Sequence, residues 1–195
     1  MSGAEIPPQW LAGRGSARFV SGGRVEELDF RQADLSGIRI EEPCADRADF
    51  SAADLDDFRC LGGSFAEARF DGAFLARARF HDVLLNRACF NAAQLESASL
   101  ATCSLREASF VGADLSRANL AGADFTGADF TDAVMKGSNA KRAIFRGACL
   151  VRADLSGADL SGAVFLGATL TDIRWGNAKL DGAQFDPHSD PRSEP

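Results

Sequence analysis

Few side chains in this sequence are placed to do chemistry, and those that are fall into a histidine pair, scattered thiols and two charge clusters. His81-Asp82 sets an imidazole beside a carboxylate, but neighbours in sequence do not build a triad, and no nucleophile elbow or phosphate-binding loop accompanies them. The other histidine, His188, lies in a polar, Pro-rich segment. Five cysteines, an odd number without a CxxC pair, fit neither a disulfide framework nor a zinc site and read as the reduced thiols of a cytoplasmic protein. The run Asp54-Leu55-Asp56-Asp57 reads as a solvated turn or as a patch for a cation or a basic partner. Around Met135-Lys136-Gly137-Ser138-Asn139-Ala140-Lys141-Arg142, with Arg146 just beyond, positive charge gathers into a candidate contact patch. No catalytic, cofactor-binding or metal-ligating residue is assigned, and the chain reads as a binding protein, not an enzyme.

Bulk properties narrow the partner. The chain has 195 residues, 28 of them acidic and 21 basic, for a net charge of −7. That balance excludes a general nucleic-acid binder, which needs basic surface to displace counterions. Hydrophobic residues at 46% and charged residues at 25% are ordinary for a globular chain and argue against disorder. No apolar run approaches the roughly 18 to 20 residues of a membrane span. Neither membrane association nor a signal peptide is expected, because no basic segment followed by a long apolar core opens the sequence.

What positions the charged residues is a period of five. In ADLSRANLAGADFTGADFTDA, Ala113 to Ala133, Leu or Phe recurs at every fifth residue with Ala two places before it. The centres, called i below, fall on multiples of five from Phe30 to Phe185; Leu or Phe fills 26 of 32, and Ala holds i−2 in 23 of 32. Five residues advance about 500° on an α-helix and reverse the face of a straight strand, so neither element makes a stripe of these centres. A short extended segment followed by a turn does, with i−2 and i facing inward and Gly frequent at i+2. Ser and Thr at i+1 (Ser36, Ser116, Thr126, Ser156) then read as turn residues. Chain that turns the same way every five residues winds into a β-solenoid.

Twenty-residue stacking sorts the centres into four sides. The first begins Phe30, Phe50, Phe70, Phe90, Phe110, Phe130, and the second runs through Leu35, Leu55, Leu75, Leu95, Leu115. The third, starting at Ile40, is mostly aliphatic, and the fourth, starting at Ala45, carries Phe65, Phe125, Phe145, Phe165 and Phe185. Eleven of the twelve central Phe share the first and fourth sides, as aromatic stacking between coils would require. Eight coils at strand spacing make a rod of about 38 Å. Its core is filled, which leaves no interior pocket and little room beside the large centres for anything bulkier than Ala at i−2.

The pattern resembles the pentapeptide-repeat family, whose signature is A(D/N)LXX, over residues 28–187. The resemblance implies an all-β fold, a right-handed four-sided parallel β-helix, here preceded by an N-terminal cap at 1–27 (with Trp10, Leu11 and Phe19) and followed by a flexible polar tail at 188–195. It also implies a function: the best-understood members, of the Qnr and mycobacterial quinolone-resistance type, bind DNA gyrase by resembling duplex DNA, and are linked to antibiotic resistance or self-protection. The alternative is a protein-interaction scaffold with another partner.

Outward residues of the first and second sides are each net −3, the third side is +1 and the fourth −1. Candidate partner-facing acids on the first two sides are Asp34, Asp49, Asp54, Asp56, Asp57, Asp114, Asp129, Asp132 and Asp154, and the candidate basic patch is Lys136, Lys141, Arg142 and Arg146. A duplex of the same length would carry about 22 negative charges, so the mimicry is weak on charge although the dimensions suit it. The gyrase-binding members dimerise through an apolar C-terminal helix, which the polar sequence after Phe185 cannot form, and no loop interrupts the register here. Irregular repeats stand at 41–47, where Pro43 is expected to remove a ladder donor, and at 136–146. The last coil, Leu170, Trp175, Leu180 and Phe185, has no evident cap, so this end is expected either to pair with a second copy or to be folded over by the tail.

Overall fold

Backbone hydrogen bonding explains why a side is five residues long. In the computed structural model, which describes residues 19–21 and 26–192, the amide of each centre donates to the following coil, as from Phe50 to the Asp-bearing side's Arg69 carbonyl at 2.7 Å. The i+2 amide does the same (Ala52 to Asp71, 2.9 Å), and the i−1 amide donates to the preceding coil (Asp49 to Leu28, 2.8 Å). The next i−2 amide closes the turn, as from Ala53 to the Phe50 carbonyl at 3.0 Å. That leaves the amide at i+1 without a backbone acceptor, a vacancy the side chain at i−1 fills: Asp49 Oδ1 accepts from Ser51 N at 2.9 Å, and Asp129 Oδ1 from Thr131 N at 2.8 Å. At several turns where i−1 is not Asp or Asn, the i+1 side chain one coil earlier substitutes, as Asp56 does for Ala76 N and Asn91 for Val111 N. The Asp/Asn of the repeat is thus a turn acceptor, required by an otherwise orphaned donor.

Parallel bridges join residues twenty apart along the described rod, from Asp29–Asp49 to Val164–Gln184. On the third side they broaden into a four-stranded parallel sheet in the order β1 (Phe19–Ser21), β2 (Arg39–Glu41), β3 (Arg59–Leu61), β4 (Arg79–His81). The i+2 residue of the turn takes positive φ with little regard to its identity, +65° at Gly112 but also 54° at Ala92 and 57° at Asp172; at the Trp175 turn Gly176 takes it instead, at 49°. A positive φ confined to the third turn residue is the type II arrangement.

Centres and their i−2 alanines form one continuous core. Phe30, Phe50, Phe70, Phe90, Phe110 and Phe130 are buried and stack face to face, with centroids 4.7–5.0 Å apart and planes within 6°. Phe125, Phe145, Phe165 and Phe185 make a second stack at 4.9–5.3 Å, and the two meet edge to face, as in Phe125–Phe130 at 77°. Leu55, Leu75, Leu95 and Leu115 fill the second side at zero exposure. Phe58 breaks the rule of Ala at i−2 yet is fully buried, tilted against Phe80 at 5.6 Å; the adjoining centre is the small Cys60, which leaves the space. Ser138, also at i−2, is 1% exposed, and its hydroxyl has no hydrogen-bond partner.

Three features depart from the sequence reading. Val20 pairs with Ile40 in the β1–β2 register, so the winding starts before residue 28. The rest of the expected cap, 1–18 and 22–25, lies outside the described residues. Pro43 does not remove a ladder donor; it occupies the slot whose amide closes the turn. That turn bond is likewise missing at 63 and 83, where the β2–β4 side opens into a wider corner, and Gly63, at φ +82°, sits so close over Pro43 that a Cβ would lie 2.4 Å from the Pro43 carbonyl oxygen. Residues 188–192, expected as a flexible tail, lie against the last coil, which is one of the two outcomes expected for this uncapped end. Arg192 donates to the Leu180 and Ala183 carbonyls at 3.0 and 3.2 Å and sits 5.4 Å from the Phe185 ring centre, and Asp186 accepts from Gly167 N at 2.7 Å.

Two substitutions check this account by urea unfolding. Gly63→Ala, which must clash with backbone and hold a positive φ, is expected to lose at least about 2 kcal/mol, whereas Ala92→Gly gains up to about 1 kcal/mol. Ser138→Ala is expected to stabilise by about 1 kcal/mol, because it removes a buried hydroxyl without a partner.

Candidate functional site

Chemistry on a filled rod is confined to its outer columns, and turn bonding decides how much of each acidic side chain is free. Asp34, Asp49, Asp54, Asp114 and Asp129 each spend one oxygen on the amide two residues ahead, at 2.8–3.2 Å. Asp54, Asp114 and Asp129 have no cation within 4 Å among the described residues, so their charge remains on display. Asp56 accepts from Ala76 N, and Asp57 is held by Arg77 at 2.8 Å, whose hydrogen bonds keep its carboxyl below the usual range. The acidic run 54–57 is therefore bonded partly within its own turn and partly to the next coil, and only Asp54 keeps its charge without a cation beside it. Asp132 is bound by Arg152 at 2.6 Å and is lowered for the same reason. Asp154 is 6% exposed and lies between Lys136 at 3.3 Å and Arg174 at 3.7 Å. Burial pushes its carboxyl up, but hydrogen bonds from Ser156 and Lys136 outweigh that and hold it down. It is not presented to a partner.

The basic cluster divides likewise. Lys136 is engaged by Asp154, and Lys141 lies 3.2 Å from Asp159, while Arg142 and Arg146 have no carboxylate within 4 Å among the described residues. His81 Nε2 is 3.2 Å from Asp82 Oδ2, and the nearby Thr102 hydroxyl donates to Asp82 and to its own chain, not to the imidazole. Cys60 and Cys103 face inward, where burial pushes the Cys60 thiol up and Cys103 up to about 11; Cys44, Cys89 and Cys149 are half-buried. At the irregular 41–47 repeat the fold joins Glu26, Cys44 and Asp46, whose ligand atoms lie within 4.8 Å of one another. Protein donors already serve them: the Cys44 thiol bonds Glu26 at 2.9 Å, and Asp46 accepts the Ser64 hydroxyl and Ala66 N.

A second grouping escaped the sequence reading. Arg39, Arg59 and Arg79 are Cα partners on β2, β3 and β4 and make a column on the third side. None has a carboxylate within 4 Å among the described residues. Beside them runs a shallow groove whose far edge carries Leu61 and His81. The signal was present as three arginines at intervals of twenty, concealed because the side as a whole is nearly neutral.

Comparisons with known proteins agree with this architecture. No curated protein matches the chain. Among solved structures, QnrB1, a plasmid-mediated fluoroquinolone resistance protein, is 24% identical with a TM-score of 0.68, over 88% of this chain and 94% of that one. Rfr23, a pentapeptide repeat protein from the cyanobacterium Cyanothece 51142, is 28% identical with a TM-score of 0.45, over 46% and 60%. HetL, involved in heterocyst differentiation regulation in Nostoc sp. strain PCC 7120, is 27% identical with a TM-score of 0.37, over 90% and 93%. The QnrB1 likeness gives the winding its hand, a right-handed β-helix. With the family model for pentapeptide repeats matching residues 64–100, 108–147 and 148–186, the chain belongs to the pentapeptide-repeat family.

Proposed function

We propose that this protein is a non-enzymatic binding rod whose first and second sides engage the DNA-binding surface of a type II topoisomerase, DNA gyrase being the target to test, in a role connected with antibiotic resistance or self-protection. The observation that carries the reading is the set of unpaired carboxylates Asp54, Asp114 and Asp129, held at fixed heights on a straight scaffold by their own turn bonds. A carboxylate fixed in this way meets a basic groove without ordering cost, which is the advantage of a rigid mimic over a flexible acidic tail. The fold shared with QnrB1, a fluoroquinolone resistance protein, is consistent with such a role, although a likeness at 24% identity carries the fold and not the target. Pairing of a second copy at the half-buried last coil, around Leu170, Trp175 and Leu180, belongs to the same proposal. The other reading, a scaffold for a different protein, is favoured by the arginine column, which no DNA mimic requires.

The test is gyrase supercoiling and quinolone-induced cleavage in the presence of purified protein. The wild type is expected to protect the enzyme or inhibit supercoiling at micromolar concentration. In the Asp54→Asn/Asp114→Asn/Asp129→Asn variant the effect should fall about tenfold while thermal stability is kept, since Asn still accepts the turn bond. A wild type without effect on either reaction overturns the topoisomerase reading and leaves the scaffold.

A further inference from the structure

Thirteen of the eighteen described lysines and arginines, from Arg31 to Arg192, lie within 4 Å of a carboxylate of the same rod. Against that background the column Arg39–Arg59–Arg79 is an exception with a cost. Three like charges on neighbouring strands, about 4.8 Å apart, repel one another, and among the described residues no carboxylate closes to within 4 Å of them; Asp57, which acts on Arg59 and Arg79 from further off, is itself held by Arg77. After Arg79 the column continues as Ser99 and Asn119, so the fold does not need arginine there. Next to the column the surface is apolar in an unusual way. Leu61 is 46% exposed on the same strand as Arg59, and Leu84, 51% exposed, stands around the corner from it one coil further on.

We infer that this groove on the third side is a docking site for an acidic amphipathic helix of a protein partner, lying along the rod axis. The pitch selects the helix. Carboxylates three or four residues apart on a helix are spaced by about 4.5 or 6 Å along its axis, close to the rise between successive arginines. An extended peptide along the same line repeats its side chains every 6.7 Å or so and falls out of step by the third arginine. The apolar stripe of such a helix, next to its acidic one, covers Leu61 and Leu84. Nucleic acid is disfavoured by the net charge of −7 and by the apolar Leu61 at the groove's edge, which a phosphate backbone leaves uncovered. This site is separate from the acidic sides of the proposed topoisomerase contact and does not rest on that reading.

The experiment uses the full-length protein and a fluorescein-labelled helical peptide with Glu at every third or fourth position and Leu on the adjoining stripe. Its controls are the same peptide with Gln for Glu and a labelled single-stranded DNA. Polarisation should report salt-sensitive binding of the Glu peptide alone, weakened about tenfold or more in Arg39→Gln/Arg59→Gln/Arg79→Gln and unchanged in Asp54→Asn/Asp114→Asn/Asp129→Asn. The triple arginine variant should melt no lower than the wild type, because it removes a repulsion. Arg59→Gln alone gives a second reading, with an intermediate loss. Absence of binding to the Glu peptide, equal binding by the triple variant, or tighter binding of the DNA through the same arginines overturns the inference. So does self-association in sedimentation that the triple variant abolishes.

Discussion

Everything along this rod depends on hydrogen bonds that join one coil to the next at an interval of twenty residues. Because each side spends five residues and uses four of the five amides on backbone acceptors, a residue has no freedom to slide against its counterpart. In-register stacking then multiplies whatever the column contains. A phenylalanine falls on a phenylalanine and produces stacks near 4.8 Å; a carboxylate falls beside a carboxylate, as at Asp34 and Asp54; an arginine falls on an arginine. Favourable and unfavourable neighbours are imposed by one geometry, and the composition of each column decides which result is obtained.

The turn adds the second requirement. Four amides are satisfied by the winding itself, and the fifth asks for a side-chain acceptor at i−1 or one coil below. This accounts for the acidic character of the chain more economically than a binding role for every aspartate. Asp54 and Asp56 lie two residues apart and serve two different orphaned amides, one in their own coil and one in the next. What remains for recognition is the second oxygen and the undiminished charge, and only where no arginine of a neighbouring coil claims it.

Much of this was legible in the sequence for a physical reason: a period of five without insertion leaves one way to keep Leu and Phe on the inside. The Phe30-to-Phe130 stack followed from spacing alone. Phe58 did not, since a large residue at i−2 is tolerable only with Cys60 beside it, and that exchange of volume requires packing to be seen. Nor did the fate of Asp154, whose charge is hidden by Lys136 and Arg174 from the coils on either side. Charge sums over a side treated such pairs as exposed and averaged away the arginine column. The wide corner at Pro43 and Gly63 was visible as an irregularity, but its bonding was not, because which amide a proline deletes depends on the turn.

The uninterrupted register also has a genetic consequence. Removing or duplicating any block of twenty codons within the regular stretch rejoins side to side and keeps each i−1 acceptor with the amide of its own turn. Length in such a molecule is free to vary by whole coils through unequal recombination, without a folded intermediate of mixed register. Selection can therefore adjust the reach of the rod in steps of about 4.8 Å while its columns are altered independently, one side at a time.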